Sequence, residues 1–233
     1  MDLNKRIDFY FKREKNINAL YRDLKSIGNL YFMGGIAREL YNCSKTGEIN
    51  NVRDIDIVID SMGNSNLFNL ILQKYNHQIN KFGGCKIYYN SVKIDVWEIR
   101  NTWAFKSNII KCDSSNMGKE LQNTVFLNYD AIVYDMKNEN FYFEKYINCL
   151  SEKILDIVLK ENPHLYLNLV RVLEFKVKTG YSLSYNLRSI YQKLYQSDKN
   201  FINQLYKIEK YRENIMTKQE LISEVESVIN GEL

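Results

Sequence analysis

NLYFMGGIARELYNCSKTGEINNVRDIDIVID, residues 29–60, is the stretch whose reading decides the fold. NLYFM is a short apolar run that reads as a strand, and Gly34-Gly35 ends it. IARELYNC (36–43) reads as a helix, and the polar SKTGEINN after it reads as a loop. VRDIDIVID (52–60) then alternates, with Val52, Ile55, Ile57 and Ile59 set against Arg53, Asp54, Asp56, Val58 and Asp60 and a break at 53–54. Side chains of a strand point to opposite faces in turn, so this segment is a strand with one apolar face and one carboxylate face.

The flanks extend the pattern. Residues 14–27 put Ile17, Leu20, Tyr21, Leu24 and Ile27 on one helical face, with Gly28 as the stop. NSNLFNLILQKY (64–75) reads as a helix capped by Asn64 or Ser65. Residues 78–100 read as two or three strands, with turns at Gly83-Gly84 and Asn90-Ser91. Residues 101–123 are polar and poorly patterned. Residues 124–147 read as a hairpin around Met136-Lys137-Asn138-Glu139. From there the spacing is helical: LSEKILDIVLKE, PHLYLNLVRVLEFKVKTG, SYNLRSIYQKLYQ, DKNFINQLYKIEKYREN and TKQELISEVESVI repeat apolar residues at three- and four-residue steps. Pro163 fits a first helical position and Gly180 a C-terminal cap. The expected fold class is α+β: a mixed-sheet head over 1–148, then an all-helical region over 149–233.

Composition bounds the possibilities. The chain has 233 residues, 45% hydrophobic and 26% charged, which is globular and argues against disorder. One proline and ten glycines exclude collagen-like and proline-rich readings. No apolar run approaches the ~20 residues that span a bilayer, so no membrane partner is expected. The charged N-terminus does not read as a secretory leader, and the expectation is a cytoplasmic protein. The cysteines at 43, 85, 112 and 149 form no C-x-x-C pair and read as buried free thiols. Residues 151–233 carry 12 basic and 11 acidic side chains and the first 150 carry 20 and 17, so the net +4 permits an anionic partner without demanding one. The 18 tyrosines read as core and half-buried surface.

The chemistry lies in residues 31–98. Alternation puts Asp54 and Asp56 on one face, about 6.5–7 Å apart along the strand. Two carboxylates on one rigid surface repel unless something positive sits between them. Mg²⁺ or Mn²⁺ fits, since such ions take carboxylate and water oxygens and complete their shell with substrate phosphates. Asp95, in the strand-like VKIDVWEI, projects opposite to Ile94 and Val96, and on a neighbouring strand it would complete a site for two metals. The Gly34-Gly35 step lets backbone N–H groups approach a triphosphate without Cβ interference, and the following helix N-terminus favours anions. Arg38 stands one helical turn on, within reach of phosphate oxygens. A lone GG or a lone D-x-D is weak evidence; the ordered set on the right elements is far more specific. The sequence identifies no nucleophile partner for His77 or His164, and Trp97 and Trp103 read as packing residues.

MGGIARELY, RDIDIVID and KIDVWEI together resemble the polymerase-beta-type nucleotidyltransferase superfamily, above all the head domain of bacterial poly(A) polymerases and class II CCA-adding enzymes. The resemblance covers about residues 29–184, strongest over 31–60. It implies that Gly34 and Gly35 bind the triphosphate, that Arg38 assists, and that Asp54, Asp56 and Asp95 hold the metals. NYDAIVYD (128–135) resembles the segment closing that head, and LVRVLEFKVKTGYSLS (169–184) its first neck helix, where Arg171 matches a nucleotide-binding position. The departures bear on substrate: Glu39 replaces an Asp, Thr124, Val125 and Phe126 stand in place of Arg-Arg-Asp, and Leu165 and Asn168 fall where base-reading side chains stand. The implied activity is transfer of NMP from an NTP to an acceptor hydroxyl, an RNA (tRNA-like) 3′ end first, with no DNA partner expected. Transfer to a protein or small molecule, as in toxins and antibiotic-modifying enzymes, and a non-catalytic nucleotide- or RNA-binding relic are the alternatives.

Overall fold

The computed structural model describes residues 2–13, 15–50, 52–80, 83–90, 92–113 and 115–231. Glu14 of the expected first helix, Lys81 and Phe82 of the expected strands, and Ser91 of the expected turn lie outside them. The chain forms two compact units, 1–124 with 130–143, and 125–129 with 144–233.

The first unit begins with α1 (Leu3–Lys12) and α2 (Lys15–Ile27), followed by β1 (Asn29–Met33), α3 (Gly34–Thr46), β2 (Asp54–Asp60) and α4 (Ser65–Leu72). Then come β3 (His77–Ile79), β4 (Cys85–Tyr89), β5 (Val92–Glu98), α5 (Trp103–Lys106), α6 (Met117–Gln122), β6 (Val133–Asp135) and β7 (Asn140–Tyr142). The strands make one mixed sheet in the order β3-β4-β5-β2-β1-β6-β7, antiparallel throughout except where β2 and β5 run parallel. Helix α1 answers to no expectation from the sequence. Its only fully buried side chains are Ile7 and Phe11, a four-residue step among charged neighbours, with Asp2 capping the Asn4 N–H.

The two faces of the sheet follow from strand periodicity. Leu30, Phe32, Ile55, Ile57, Ile59, Ile94 and Val96 pack on one side against Phe11, Leu20, Leu24, Ile36, Leu40, Phe68 and Leu72 of α1–α4. On the other side Tyr31, Val58 and Val133 pack against Ile99, Phe105, Met117 and Leu121, with Trp97 partly buried beside them. Asp54, Asp56, Lys93 and Asp95 share this second face by alternation. Residues 124–132 are not a strand; the hairpin is confined to β6–β7, its turn closed by Asp135, which accepts from Asn29, Lys137 and Asn138.

The second unit contains α7 (Glu144–Glu152), β8 (Ile154–Leu155), α8 (Leu165–Thr179), β9 (Ser182–Leu183), α9 (Tyr185–Ser197), α10 (Phe201–Tyr211) and α11 (Lys218–Asn230). The long helices surround Leu169, Leu173, Leu187, Tyr191, Leu205, Leu221 and Val225, and the buried Tyr191 hydroxyl donates to the Leu169 carbonyl. The helix expected over LSEKILDIVLKE stops at Glu152, because Ile154 and Leu155 pair instead with Ser182 and Leu183. Pro163 does not open α8: His164 takes a left-handed φ of 62° as N-cap and the helix starts at Leu165. Gly180 closes it as expected, and α11 opens on a Thr217/Glu220 capping box. Three cysteines are buried, Cys112 is half-buried, and no disulfide joins any of them. Among the described residues no helix is long and apolar enough to cross a membrane.

Candidate active site

Gly34 makes the turn from β1 into α3. Met33 is extended, and Gly34 takes a φ of 59°, in the left-handed region where a Cβ is strained. The β1–β2 register pairs Met33 with Asp56, so the diglycine lies beside the acidic strand. A Cβ on Gly34 would stand 3.2 Å from Asp56 Oδ2, and one on Gly35 would stand 3.9 Å from the Asp54 carbonyl oxygen.

The parallel pairing of β2 with β5 sets Asp54 opposite Lys93 and Asp56 opposite Asp95. Neighbouring strands in register present paired residues on one face, so all three expected carboxylates share it. Asp95 is buried, only 5% exposed, and its Oδ1 has no hydrogen-bond partner. Lys93 Nζ lies 3.1 Å from Asp54 Oδ1 and 3.0 Å from Asp95 Oδ2. Arg53 Nε lies 3.1 Å from Asp54 Oδ2. Burial alone would raise the Asp54 carboxyl, but Lys93 and Arg53 outweigh it and hold it below the usual carboxylate range. Burial likewise disfavours the Lys93 ammonium, and the two carboxylates reverse that and raise it.

Arg38, on the first turns of α3, donates through Nη1 to Asp130 Oδ1 at 2.8 Å, with both side chains largely buried. Its Nη2 lies 3.8 Å from the point a Gly35 Cβ would occupy. Arg171 belongs to the second unit, on α8, with its guanidinium 5.9 Å from the centre of the Phe175 ring. Glu98 sits on the opposite sheet face to Asp95, buried, and accepts from Ser61 and the Arg100 N–H.

The oxygen-only donor set of Asp54, Asp56 and Asp95, with one buried oxygen unsatisfied, fits a hard divalent cation. Among the described residues no three His, Cys, Asp or Glu side chains are gathered tightly enough to cage an ion, and the space between Asp54 and Asp95 is bridged by Lys93. Two side chains escaped the sequence reading. Lys93 had a legible signal, since it stands two residues before Asp95 and therefore on the same strand face. Asp130 stood inside the NYDAIVYD segment, but nothing local marked its pairing with Arg38, 92 positions away.

Solved structures share this architecture. A CCA-adding enzyme in complex with ATP superposes with a TM-score of 0.62 at 14% identity, over 94% of this chain and 53% of that one. The Thermotoga maritima CCA-adding enzyme complexed with tRNA gives 0.59 at 15% identity, over 92% and 51%. The chain shares the fold of about half of each of these two enzymes. A tRNA-processing enzyme in an apo form gives 0.60 at 14% identity, over 92% and 57%, so the chain spans a little over half the length of these neighbours. No protein-family model and no curated protein sequence matches the chain.

Proposed function

We propose that the first unit performs metal-dependent nucleotidyl transfer, moving NMP from a nucleoside triphosphate to the hydroxyl of an RNA 3′ end of tRNA type and releasing pyrophosphate. The observation that carries this reading is the position of Asp54, Asp56 and Asp95 on one sheet face, in register, directly beside the Gly34 turn. The RNA acceptor and the nucleotide find support in the fold likeness to proteins solved with tRNA, CTP and ATP.

In the reaction the acceptor oxygen bonds to the α-phosphorus, the bond from that phosphorus to its bridging oxygen breaks, and the hydroxyl proton leaves to solvent. The backbone N–H groups that open α3 receive triphosphate oxygens, and Arg38, oriented by Asp130, adds positive charge at the same place. Asp54, Asp56 and Asp95 would hold the divalent cation, which when bound activates the nucleophile and neutralises the leaving pyrophosphate. Arg171 is proposed as a nucleotide-binding residue.

The test is incubation with each labelled NTP, RNA and Mg²⁺. Label should enter RNA, and Asp54→Asn should cut the rate by about 10²-fold or more, the scale for removing a group that stabilises transition-state charge. Label found only in protein or in a small molecule would transfer the reading to that acceptor. No label in any acceptor would leave a nucleotide- or RNA-binding relic.

A further inference from the structure

We infer that Lys93 is a built-in competitor for the divalent cation, an ammonium that fills the gap between Asp54 and Asp95 and has to withdraw before those carboxylates can both ligate a metal. The inference rests on the proposed metal-dependent reading and concerns how its site is loaded.

The geometry leaves little choice. The β2–β5 register puts Lys93 opposite Asp54 and two residues from Asp95 on the same face, so its ammonium reaches both carboxylates at 3.1 and 3.0 Å. The Lys93 N–H also donates to the Arg53 carbonyl at 2.8 Å, which fixes the backbone from which the side chain springs. Asp95 is too buried for bulk water to balance its charge, and its Oδ1 finds no donor while Oδ2 is taken by Lys93. With Arg53 on Asp54 Oδ2 and Lys93 on the two facing oxygens, Asp95 Oδ1 is the oxygen of the pair left unsatisfied. A cation bound at about 2.0–2.1 Å from such oxygens would occupy the same gap and repel the ammonium, so the two exclude each other. The Lys93 side chain is 31% exposed, which gives the ammonium a route into water when it is displaced. A purely structural ion pair would have the same contacts but would lose stability on removal whether metal is present or not.

Mn²⁺ titration by calorimetry, without nucleotide, separates these cases in the full chain and its Lys93→Met, Lys93→Arg and Asp54→Asn variants. Thermal unfolding of each, in EDTA and in Mn²⁺, accompanies it. Lys93→Met should bind Mn²⁺ about 10-fold or more tightly than the unmodified chain, since a repelling charge is gone. In EDTA it should melt lower, because Asp95 then loses its cationic partner and Asp54 keeps only Arg53, and Mn²⁺ should raise its melting temperature by more than it raises that of the unmodified chain. Lys93→Arg should resemble the unmodified chain. If Lys93→Met binds Mn²⁺ no more tightly than the unmodified chain while Asp54→Asn weakens binding, the competitor role falls and the metal site stands. Failure of all four proteins to bind Mn²⁺ would overturn both.

Discussion

Alanine at Gly34 and alanine at Gly35 should fail in different ways. Gly34 has a φ of 59°, and holding an L-residue there costs about 1–2 kcal/mol. For a domain of this size that corresponds to a fall of roughly 3–8 °C in melting temperature. The new Cβ would also stand 3.2 Å from Asp56 Oδ2, so the carboxylate must give by a few tenths of an ångström. Catalytic geometry loses up to about 10²-fold per ångström of misplacement, which makes about 3–10-fold the expected loss in kcat from that shift. Gly35 lies outside the left-handed region, and its Cβ would meet nothing closer than Arg38 Nη2 at 3.8 Å. Gly35→Ala should therefore melt at or slightly above the unmodified chain, since alanine is the better helix residue by about 0.5–1 kcal/mol. Under the proposed function its methyl would stand where a triphosphate meets the α3 N–H groups, so KM for the nucleotide should rise about 10-fold with kcat less affected. The measurements are thermal unfolding by circular dichroism and steady-state label incorporation. Equal loss of stability in both variants would refute the assignment of strain to Gly34 alone. An unchanged KM in Gly35→Ala would refute the phosphate cradle.

Two other perturbations follow from charges outside the carboxylate face. Asp130→Asn removes the charged acceptor of Arg38 Nη1 at a largely buried position, and the expected cost is about 2 kcal/mol by urea unfolding. The effect should be mostly absent when Arg38 is already glutamine; full additivity would show that the pair is not a unit. Asp8 accepts from Lys25 at 2.8 Å and from the Tyr21 hydroxyl at 2.7 Å. Burial would raise its carboxyl, but these partners outweigh it and lower it below 3.8. A depressed carboxylate contributes stability above its unfolded pKa and loses it as pH falls through the folded one. Asp8→Asn should thus be less stable by about 0.5–1 kcal/mol near neutrality, a figure already reduced for solvent screening, and should begin to converge with the unmodified chain as pH falls below about 4. A gap that persists at acid pH would mean that shape rather than charge carries the effect.

What could be read from residue order is whatever local periodicity encodes. The strand–diglycine–helix–acidic strand series, the face shared by Asp54 and Asp56, and the four long helices α8–α11 each repeat within a few residues, and each stands where the spacing put it. Short or lightly marked elements escaped for the same reason. Helices α5 and α6 span four and six residues, too few for a helical period to emerge, and α1 buries only two side chains among charges. Apolar spacing over residues 150–161 looked helical because a buried turn and a buried strand both need apolar residues; the partner strand at Ser182–Leu183 decided between them.

Strand adjacency is a property of the whole first unit. No local signal says that β5 crosses over to lie parallel to β2 in a register that puts Asp95 beside Asp56 and Lys93 beside Asp54. Packing on both sheet faces selects that register, because a one-residue slip would turn Ile94 and Val96 out of the core and Asp95 into it. The amino-acid order therefore supplied the carboxylates and the glycines. Only the tertiary pairing supplied their distances, the ammonium between them, and the anchoring of Arg38 by a residue 92 positions away.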